Sequence, residues 1–151
     1  MENYHFFWRG ILSNWTYSEF THLGFKYNCG EQMMMHQKAL LFNDHIIALQ
    51  IMDSVSPSYI QSLGRMIRNF DPVIWDEKKK DIVKAGLISR FTQDLVAKEA
   101  LLKHKGKVFV EASPYDKIWG IGYTNQEALD NFDEWGENLL GVILTEISNE
   151  I

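Results

Sequence analysis

The sequence predicts a helix-rich α+β domain with only a few short strands, on three observations. Apolar residues recur at helical spacing through most of residues 29–105 and again near the C-terminus, which is typical of helices that pack on one face. Short aromatic or Val-rich runs near the N-terminus and at 107–113 predict strands. No linker, repeat or low-complexity segment interrupts the 151 residues, so we expect one domain, 1–151.

In the N-terminal half, an aromatic stretch with turn residues predicts short strands within residues 4–26. A helix is then expected from about 29 to 43, followed by a short polar helix over 44–55. After "SPS", with Ser56 or Ser58 as the cap, one helical face is predicted to carry Ile60, Leu63, Ile67 and Phe70.

In the C-terminal half, apolar periodicity predicts two helices in "DPVIWDEKKKDIVKAGLISRFTQDLVAKEALLKHKG". Gly106 is the expected end of the second helix. The alternating "KVFVEAS" predicts a strand, and "PYDKIWGIGYTN" predicts a loop. A final buried helix is expected in "NLLGVILTEI".

Composition limits the classes of function. With 46% hydrophobic and 23% charged residues the chain is typical of a soluble globular protein. Its net charge of -5 argues against binding nucleic acid through overall positive charge, and a local basic groove is the remaining alternative. The single cysteine, Cys29, excludes an internal disulfide and suits a reducing cytosol. Neither a signal sequence nor a membrane span is indicated, so we expect a cytoplasmic protein. The histidines lack metal-ligand spacing, so we expect no metal or other cofactor, and His36 is expected on a polar helix face.

Two opposite charges are set into the apolar helix predicted in "YNCGEQMMMHQKALLF". At about 100° per residue, Glu31 and Lys38 share a face with the methionines, where the core is expected. They lie about 10 Å apart along the axis, and the lysine side chain leans back toward the glutamate. A carboxylate and an amine facing one pocket are able to act as acid, base or nucleophile.

Structural explanations exist for both charges. Glu31 follows Asn28 by three residues, as in a capping box, and the Lys38 stem is able to extend its ammonium to the surface. Cys29 at the helix start could have a lowered pKa, although a lone cysteine is more often inert.

The second motif is "VEASPYDKIWGIG", in which a strand leads to Asp116 and then to Trp119, which is followed by Gly120 and Gly122. It is either a tight loop or a base-stacking tryptophan beside a carboxylate. Arg65, Arg68 and Arg90 are phosphate-binding candidates, because a guanidinium grips phosphate through two hydrogen bonds, and surface ion pairing is the alternative.

The segments "YNCGEQMMMHQKALLFND", "SLGRMIRNFDPVIWDEKKKDIVKAGLISRFTQD", "VEASPYDKIWGIG" and "NLLGVIL", in this order and spacing, resemble the NADAR or YbiA-like superfamily. The resemblance implies a mostly helical α+β fold that hydrolyses N-glycosidic bonds. One branch is similar to the riboflavin-pathway N-glycosidase, which acts on ribosylamino-pyrimidine phosphates, and another removes ADP-ribose from guanine bases.

By this resemblance the catalytic residues are expected to be Glu31, Lys38 and Asp116. The substrate-binding residues are expected to be Asn14, Gln32, Arg65, Trp75, Arg90, Phe91, Trp119, Gly120, Gly122 and Asn138. The sequence departs from the family pattern at Asp94, where an asparagine is usual, and at Ser148, where the closing helix usually carries an arginine.

The expected partner is therefore a small ribosyl or ADP-ribosyl substrate, with ADP-ribosylated nucleic acid as a further possibility and no membrane. A reader of ADP-ribose or nucleotides without catalytic activity is the alternative from another functional class. The presence of both Glu31 and Lys38 on an apolar face favours the enzyme, because a pure binder does not need this ionic pair.

Overall fold

The computed structural model describes residues 3–151 and is mostly helical, with four short strands among those residues. This confirms the predicted α+β class. The elements are β1 (Tyr4–Phe7), β2 (Phe20–His22), β3 (Phe25–Tyr27), α1 (Gly30–Leu41), α2 (His45–Met52), α3 (Pro57–Gly64), α4 (Pro72–Gln93), α5 (Leu95–Leu102), β4 (Val108–Glu111), α6 (Asn125–Ala128), a 3₁₀ helix (Leu129–Glu134) and α7 (Leu139–Glu150). Across the described residues, every helix is too short or too polar to span a bilayer.

Contacts divide the chain into two compact units, which are described separately. The central unit is Asn14–Leu95, and the terminal unit combines the N-terminal segment up to Ser13 with Val96–Ile151. The expectation of a single domain stays a prediction.

Helix α1 forms the centre of the central unit, in contact with α2, α3 and α4. Two of its methionines pack against glycines of neighbouring helices: a β-carbon at Gly86 of α4 would overlap the Met33 sulfur, and one at Gly64 of α3 would overlap the Met35 sulfur. The missing side chains therefore let the unbranched methionines fill the gaps between closely packed helices.

A tight hairpin precedes α1 in the central unit. Strands β2 and β3 pair antiparallel, and the two residues between them, Leu23 and Gly24, both have positive φ. This backbone matches the right-handed twist of strands joined by a two-residue hairpin turn. The hairpin ends at Tyr27, three residues before α1.

In the terminal unit, β1 and β4 form a parallel pair, with Phe7 opposite Glu111 at its carboxyl end. Helix α7 packs on β4, and the close approach requires Gly141, where a β-carbon would overlap the Phe109 carbonyl oxygen. The core of this unit includes Val110, Ile121 and Ala128.

Several element predictions were wrong in detail. Helix α2 is apolar, not polar: its sequence is HIIALQIM, and Ile47 and Ile51 are buried. Helix α3 is capped by Ser56 as predicted but ends at Gly64, so Ile67 and Phe70 lie outside it. The turn of helix at Asn125–Ala128 and the 3₁₀ helix after it were not predicted, although the "TNQE" start is a capping box formed by Thr124 and Glu127.

Candidate active site

Lys38 is held in a partly buried, aromatic environment on the last turns of α1. Its Nζ donates a hydrogen bond to the Gly64 carbonyl oxygen at 3.1 Å. The same nitrogen lies 4.6 Å from the ring centroid of Phe70 and 5.6 Å from that of Trp75. The amine therefore has one neutral acceptor and two π faces in place of much of its water.

Burial lowers the pKa of Lys38, and neighbouring charges modify this effect in opposite directions. The carboxylate of Glu31 raises the lysine pKa, whereas the guanidinium of Arg65 lowers it further. Desolvation is the largest cause, because burial disfavours the charged form. The three ionisable side chains thus interact electrostatically within the central unit.

Glu31 is buried, with 4% of its surface exposed, at the second position of α1. Its backbone N–H donates to the Asn14 carbonyl oxygen at 2.9 Å. The capping-box explanation is wrong by one position: the N-cap is Cys29, and the side chain that reaches back is Gln32, whose Oε1 accepts from Asn28 N at 2.8 Å. Glu31 is therefore the second residue of the helix and not the N3 residue of a capping box.

Gln32 belongs to the support of the site. Its side chain is 2% exposed, and its Nε2 donates to the Ile51 carbonyl oxygen at 3.1 Å. Longer hydrogen bonds join the same nitrogen to the carbonyls of Met52 and Ser54. This amide, expected to bind substrate, ties the start of α1 to the end of α2.

Asn14 is buried directly beside the first turn of α1. A β-carbon at Gly30 would overlap its Oδ1, so glycine is the residue that allows this approach. Within the described part of the chain, Oδ1 is buried and has no hydrogen-bond partner. An unsatisfied buried acceptor is costly, so a hydrogen bond from a bound group would stabilise this oxygen.

Arg90 and Phe91 near the end of α4 are both fully buried. The guanidinium of Arg90 lies 4.7 Å from the Phe91 ring, and burial lowers its pKa to about 10 although Asp94 and Cys29 favour its charge. Asp94 in turn accepts a 2.5 Å hydrogen bond from the Ser18 hydroxyl. The departure from the family pattern at Asp94 thus places a carboxylate beside a buried cation.

In the terminal unit, Asp116 organises the loop that follows β4. Its Oδ1 accepts hydrogen bonds from Ile118 N at 2.8 Å and Trp119 N at 2.9 Å. This is the local pattern by which aspartate stabilises a turn. Trp119 is half-buried at the end of the turn.

The glycines after Trp119 and the residue Asn138 complete this loop. Gly120 is packed against the Glu111 carbonyl oxygen, 2.8 Å from where its β-carbon would lie, and Gly122 has a φ of +81°. Asn138 accepts a hydrogen bond from Glu111 N and donates one to the Phe109 carbonyl oxygen, both at 2.9 Å. Its amide therefore supports the edge of β4.

Two further expectations are corrected. His36 does not lie on a polar face: it is 3% exposed and shares a 2.7 Å hydrogen bond with the Tyr27 hydroxyl. Cys29 is buried, and burial raises the pKa of its thiol. No group of three or more potential metal-ligating side chains occurs among residues 3–151.

Phe70 is the site residue that the sequence reasoning missed, because it was assigned to the face of α3. A signal was present: Asp71 caps α4, accepting from Val73 N and Ile74 N. Phe70 and Trp75 then occupy the N′ and N4 positions, whose side chains often pack together as a hydrophobic staple. The start of α4 thus supplies both aromatic rings beside Lys38.

The NADAR domain model matches residues 6–151. The chain belongs to the NADAR family. Its relatives include an N-glycosidase of Acanthamoeba polyphaga mimivirus, 46% identical over 127 residues that make up 83% of this chain and 75% of that protein. An N-glycosidase of Nostoc punctiforme is 28% identical over 121 residues, covering 80% of this chain and 72% of that protein.

A solved structure has the same fold as this chain. The NMR structure of the Escherichia coli protein YbiA superposes with a TM-score of 0.78 at 22% identity. The match covers 99% of this chain and 84% of the other. The NADAR match and the viral relative confirm the predicted superfamily, and this structure shows the shared fold.

Proposed function

We propose that this NADAR-domain protein is an N-glycosidase, a hydrolase that cleaves the bond between a ribose or ribose phosphate and a base or amine. The observation that carries the proposal is the desolvated amine of Lys38 interacting with the buried carboxylate of Glu31. The name of the viral relative, at 46% identity, supports the same activity. A binder without catalytic activity would gain nothing from desolvating an amine in this way.

Glu31 is assigned the charge-stabilising role. Breaking an N-glycosidic bond builds positive charge at the anomeric carbon, and a nearby carboxylate stabilises that charge or activates the attacking water. A buried carboxylate is more effective than an exposed one, since less water screens it.

Lys38 has two possible roles that make different predictions. As a neutral amine it attacks the anomeric carbon, the base leaves with a proton, and water hydrolyses the resulting iminium of the ring-opened sugar, which regenerates the amine. As a cation it binds a phosphate or a ribose hydroxyl. The lowered pKa supports the first role, because it increases the fraction of neutral amine at any given pH below the ordinary lysine value.

The remaining predicted residues are assigned by the chemistry that each offers. The buried Oδ1 of Asn14 is suited to accept a ribose hydroxyl, and the exposed Arg65 is suited to a phosphate. The Oδ1 atom of Asp116 accepts from the loop backbone, and its second carboxylate oxygen is suited to accept a hydrogen bond from a ribose hydroxyl. The half-buried Trp119 is suited to stack on the base. Trp75, Gln32, Arg90 and Phe91 are assigned to supporting the residues of the central unit, and Asn138 to supporting the loop of the terminal unit.

For the substrate we propose a ribosylamino-pyrimidine phosphate of the kind used in riboflavin biosynthesis, with ADP-ribosyl-guanine as the alternative. Incubating the purified protein separately with each compound, and following release of base and sugar phosphate by chromatography, tests the proposal. Release from either compound supports an N-glycosidase and identifies its class of substrate. No release from either, by a folded protein, contradicts it.

A further inference from the structure

The outer edge of β1 has no strand beside it in the described part of the terminal unit, because β1 pairs only with β4. The carbonyl oxygens of Asn3 and Phe7 accept hydrogen bonds from backbone N–H groups at either end of β4. Backbone groups of successive residues point to opposite sides of a strand, so those of Tyr4 and Phe6 point away from β4. Within residues 3–151 no hydrogen bond outside the β1–β4 ladder involves them. Such an edge is a template for a further strand.

Aromatic side chains cover one face of β1 next to this edge. Tyr4 and Phe6 share a face because side chains alternate along a strand. The Trp135 ring centroid lies 5.5 Å from that of Tyr4 and 6.0 Å from that of Phe6. Phe132 of the 3₁₀ helix lies 4.8 Å from Trp135 and is 50% exposed. These four rings, here called the aromatic face, form one continuous and partly exposed surface.

The segment that carries Phe132 and Trp135 is acidic. Residues 124–137 contain no basic residue and five acidic ones, which are Glu127, Asp130, Asp133, Glu134 and Glu137. The whole chain has 20 acidic and 15 basic residues, so this segment accounts for its net charge of -5.

Three of these carboxylates are available to a partner. Glu127 caps α6, and Glu134 accepts a hydrogen bond from the Tyr123 hydroxyl. The side chains of the other three acidic residues are exposed and make no hydrogen bond or ion pair within residues 3–151. An exposed apolar surface next to unpaired negative charge is complementary to a chain that carries positive charge.

We propose that the outer edge of β1 and the aromatic face bind an extended segment of a partner protein that carries arginine or lysine at alternate positions. The segment adds a strand to the edge through backbone hydrogen bonds to Tyr4 and Phe6. Every second side chain then lies on the aromatic face, where a long basic side chain packs its stem on a ring and reaches a carboxylate. This interaction goes beyond the proposed N-glycosidase function and does not depend on it.

The opposite face of β1 explains why only alternate positions are basic. Burial lowers the pKa of His5 on that face, and the positive charges of Lys103 and Lys107 lower it further. Positive charge near that face disfavours basic residues at the intervening positions of the partner. A second copy of this chain is a poorer occupant, since β1 itself has no lysine or arginine to offer to the carboxylates.

The direct test is fluorescence polarisation with a labelled peptide of alternating arginine and threonine. Its length is about nine residues, within the usual range of strand lengths, and threonine favours a strand. We expect saturable binding by the wild type. A peptide of the same composition with all its arginines in one block should bind more weakly, because it does not place them on one face of a strand. A peptide of alternating glutamate and threonine should not bind.

Amide hydrogen exchange, followed by nuclear magnetic resonance, tests the strand edge. The amides of Tyr4 and Phe6 gain an acceptor when the peptide binds, whereas those of His5 and Phe7 point toward β4. We therefore expect saturating peptide to slow exchange at Tyr4 and Phe6 more than at His5 and Phe7.

Substitutions test the charge and the ring separately. Asp130→Asn combined with Asp133→Asn should weaken binding by about twofold to thirtyfold, the range for two exposed ion pairs. The matched control is Glu77→Gln combined with Asp81→Asn, which removes two exposed carboxylates of α4 and should bind like the wild type. Phe132→Ala should weaken binding by about twofold to fivefold, the range for an exposed cation–π contact, and Phe132→Tyr should restore it.

The proposal is overturned if the wild type does not bind the alternating peptide, or if the block peptide binds equally tightly. It is also overturned if the peptide leaves exchange at Tyr4 and Phe6 unchanged, or if the Asp130 and Asp133 variant binds like its control. Dimerisation of the wild type that is lost in Phe132→Ala would assign the face to a second copy and overturn the proposal as well. No ribosyl substrate enters these measurements, so their failure leaves the N-glycosidase proposal untouched.

Discussion

At the scale of single residues, Lys38 shows how a site is built at a cost in stability. Its lowered pKa means that the folded protein stabilises the ammonium less than water does. The hydrogen bond to Gly64 and the rings of Phe70 and Trp75 only partly replace the lost hydration. Such a charge is retained where function requires it, and perturbed pKa values cluster at functional sites.

Lys38→Met should therefore separate catalysis from stability. We expect loss of hydrolysis and loss of any adduct trapped by borohydride during turnover, with a thermal midpoint equal to or above that of the wild type. The control is Lys78→Met, which removes an exposed lysine of α4 and should keep activity. Adduct formation that survives in Lys38→Met, or full hydrolysis by it, would contradict the nucleophilic role.

The pH dependence of turnover reports the same amine. Since Lys38 must lose its proton to attack, the rate constant kcat should rise with pH through the lysine pKa, at a pH below the ordinary value of 10.5. The positive charge of Arg65 lowers that pKa, so Arg65→Gln should move the rising limb to higher pH. A limb that does not move, measured at saturating substrate, would show that Arg65 does not act on the amine.

At the scale of elements, the amide of Gln32 fastens the start of α1 to the neighbouring backbone. Gln32→Ala leaves Asn28 N and the Ile51 carbonyl without this partner, and we expect a loss of about 1–3 kcal/mol in the free energy of unfolding, measured with urea. Gln50→Ala, at an exposed position of α2, is the control and should change stability little. Equal stability of the two variants would show that the buried hydrogen bonds contribute nothing net.

The stacked rings of His5 in β1 and His104 in the turn after α5 make the terminal unit sensitive to acid. Their centroids are 3.6 Å apart, and burial lowers the pKa of each, with the charges of Lys103 and Lys107 adding to the effect. Phe109 packs on His5 from β4 and offers no compensating charge.

The sign of the pH effect follows from these lowered values. Folding favours the neutral rings, so their contribution is complete above 6.5 and is lost as pH falls through the lower folded values. We expect the thermal midpoint of unfolding to decrease when the pH is lowered below 6.5. The decrease should be smaller in His104→Gln. An equal fall in that variant would assign the acid sensitivity to other groups.

Element types could be predicted from local patterns, whereas some boundaries and environments depend on distant residues. The range expected for α1 was within two residues of the observed helix at each end. The apolar spacing of Ile67 and Phe70 suggested a longer α3, but the helix has eight residues and ends at Gly64. The Met35 side chain of α1 occupies the space that a side chain at Gly64 would need. His36 looked polar in sequence, and only its hydrogen bond to Tyr27 makes its burial favourable.

At the scale of the whole molecule, the order of the motifs along the chain predicted the family, and the NADAR match over residues 6–151 confirms it. The chemistry of individual side chains was less predictable. Glu31 and Lys38 were predicted to be catalytic from their positions on an apolar face, and that role stays a prediction. The side-chain amide of Asn138 donates a hydrogen bond to Phe109 of β4, 29 residues earlier in the chain. A hydrogen bond of this kind has no local signature in the sequence. Such roles depend on the fold, and residue type alone does not specify them.

The most direct test of the proposed N-glycosidase activity is single-turnover hydrolysis by Glu31→Gln, compared with the wild type on the substrate that the wild type cleaves. The substitution keeps the size of the side chain and removes its charge. We expect a rate at least about a hundredfold lower, in the range for loss of a catalytic acid or base, in a protein that remains folded by circular dichroism. Hydrolysis by Glu31→Gln at the wild-type rate would contradict the assignment of Glu31 and the mechanism built on it.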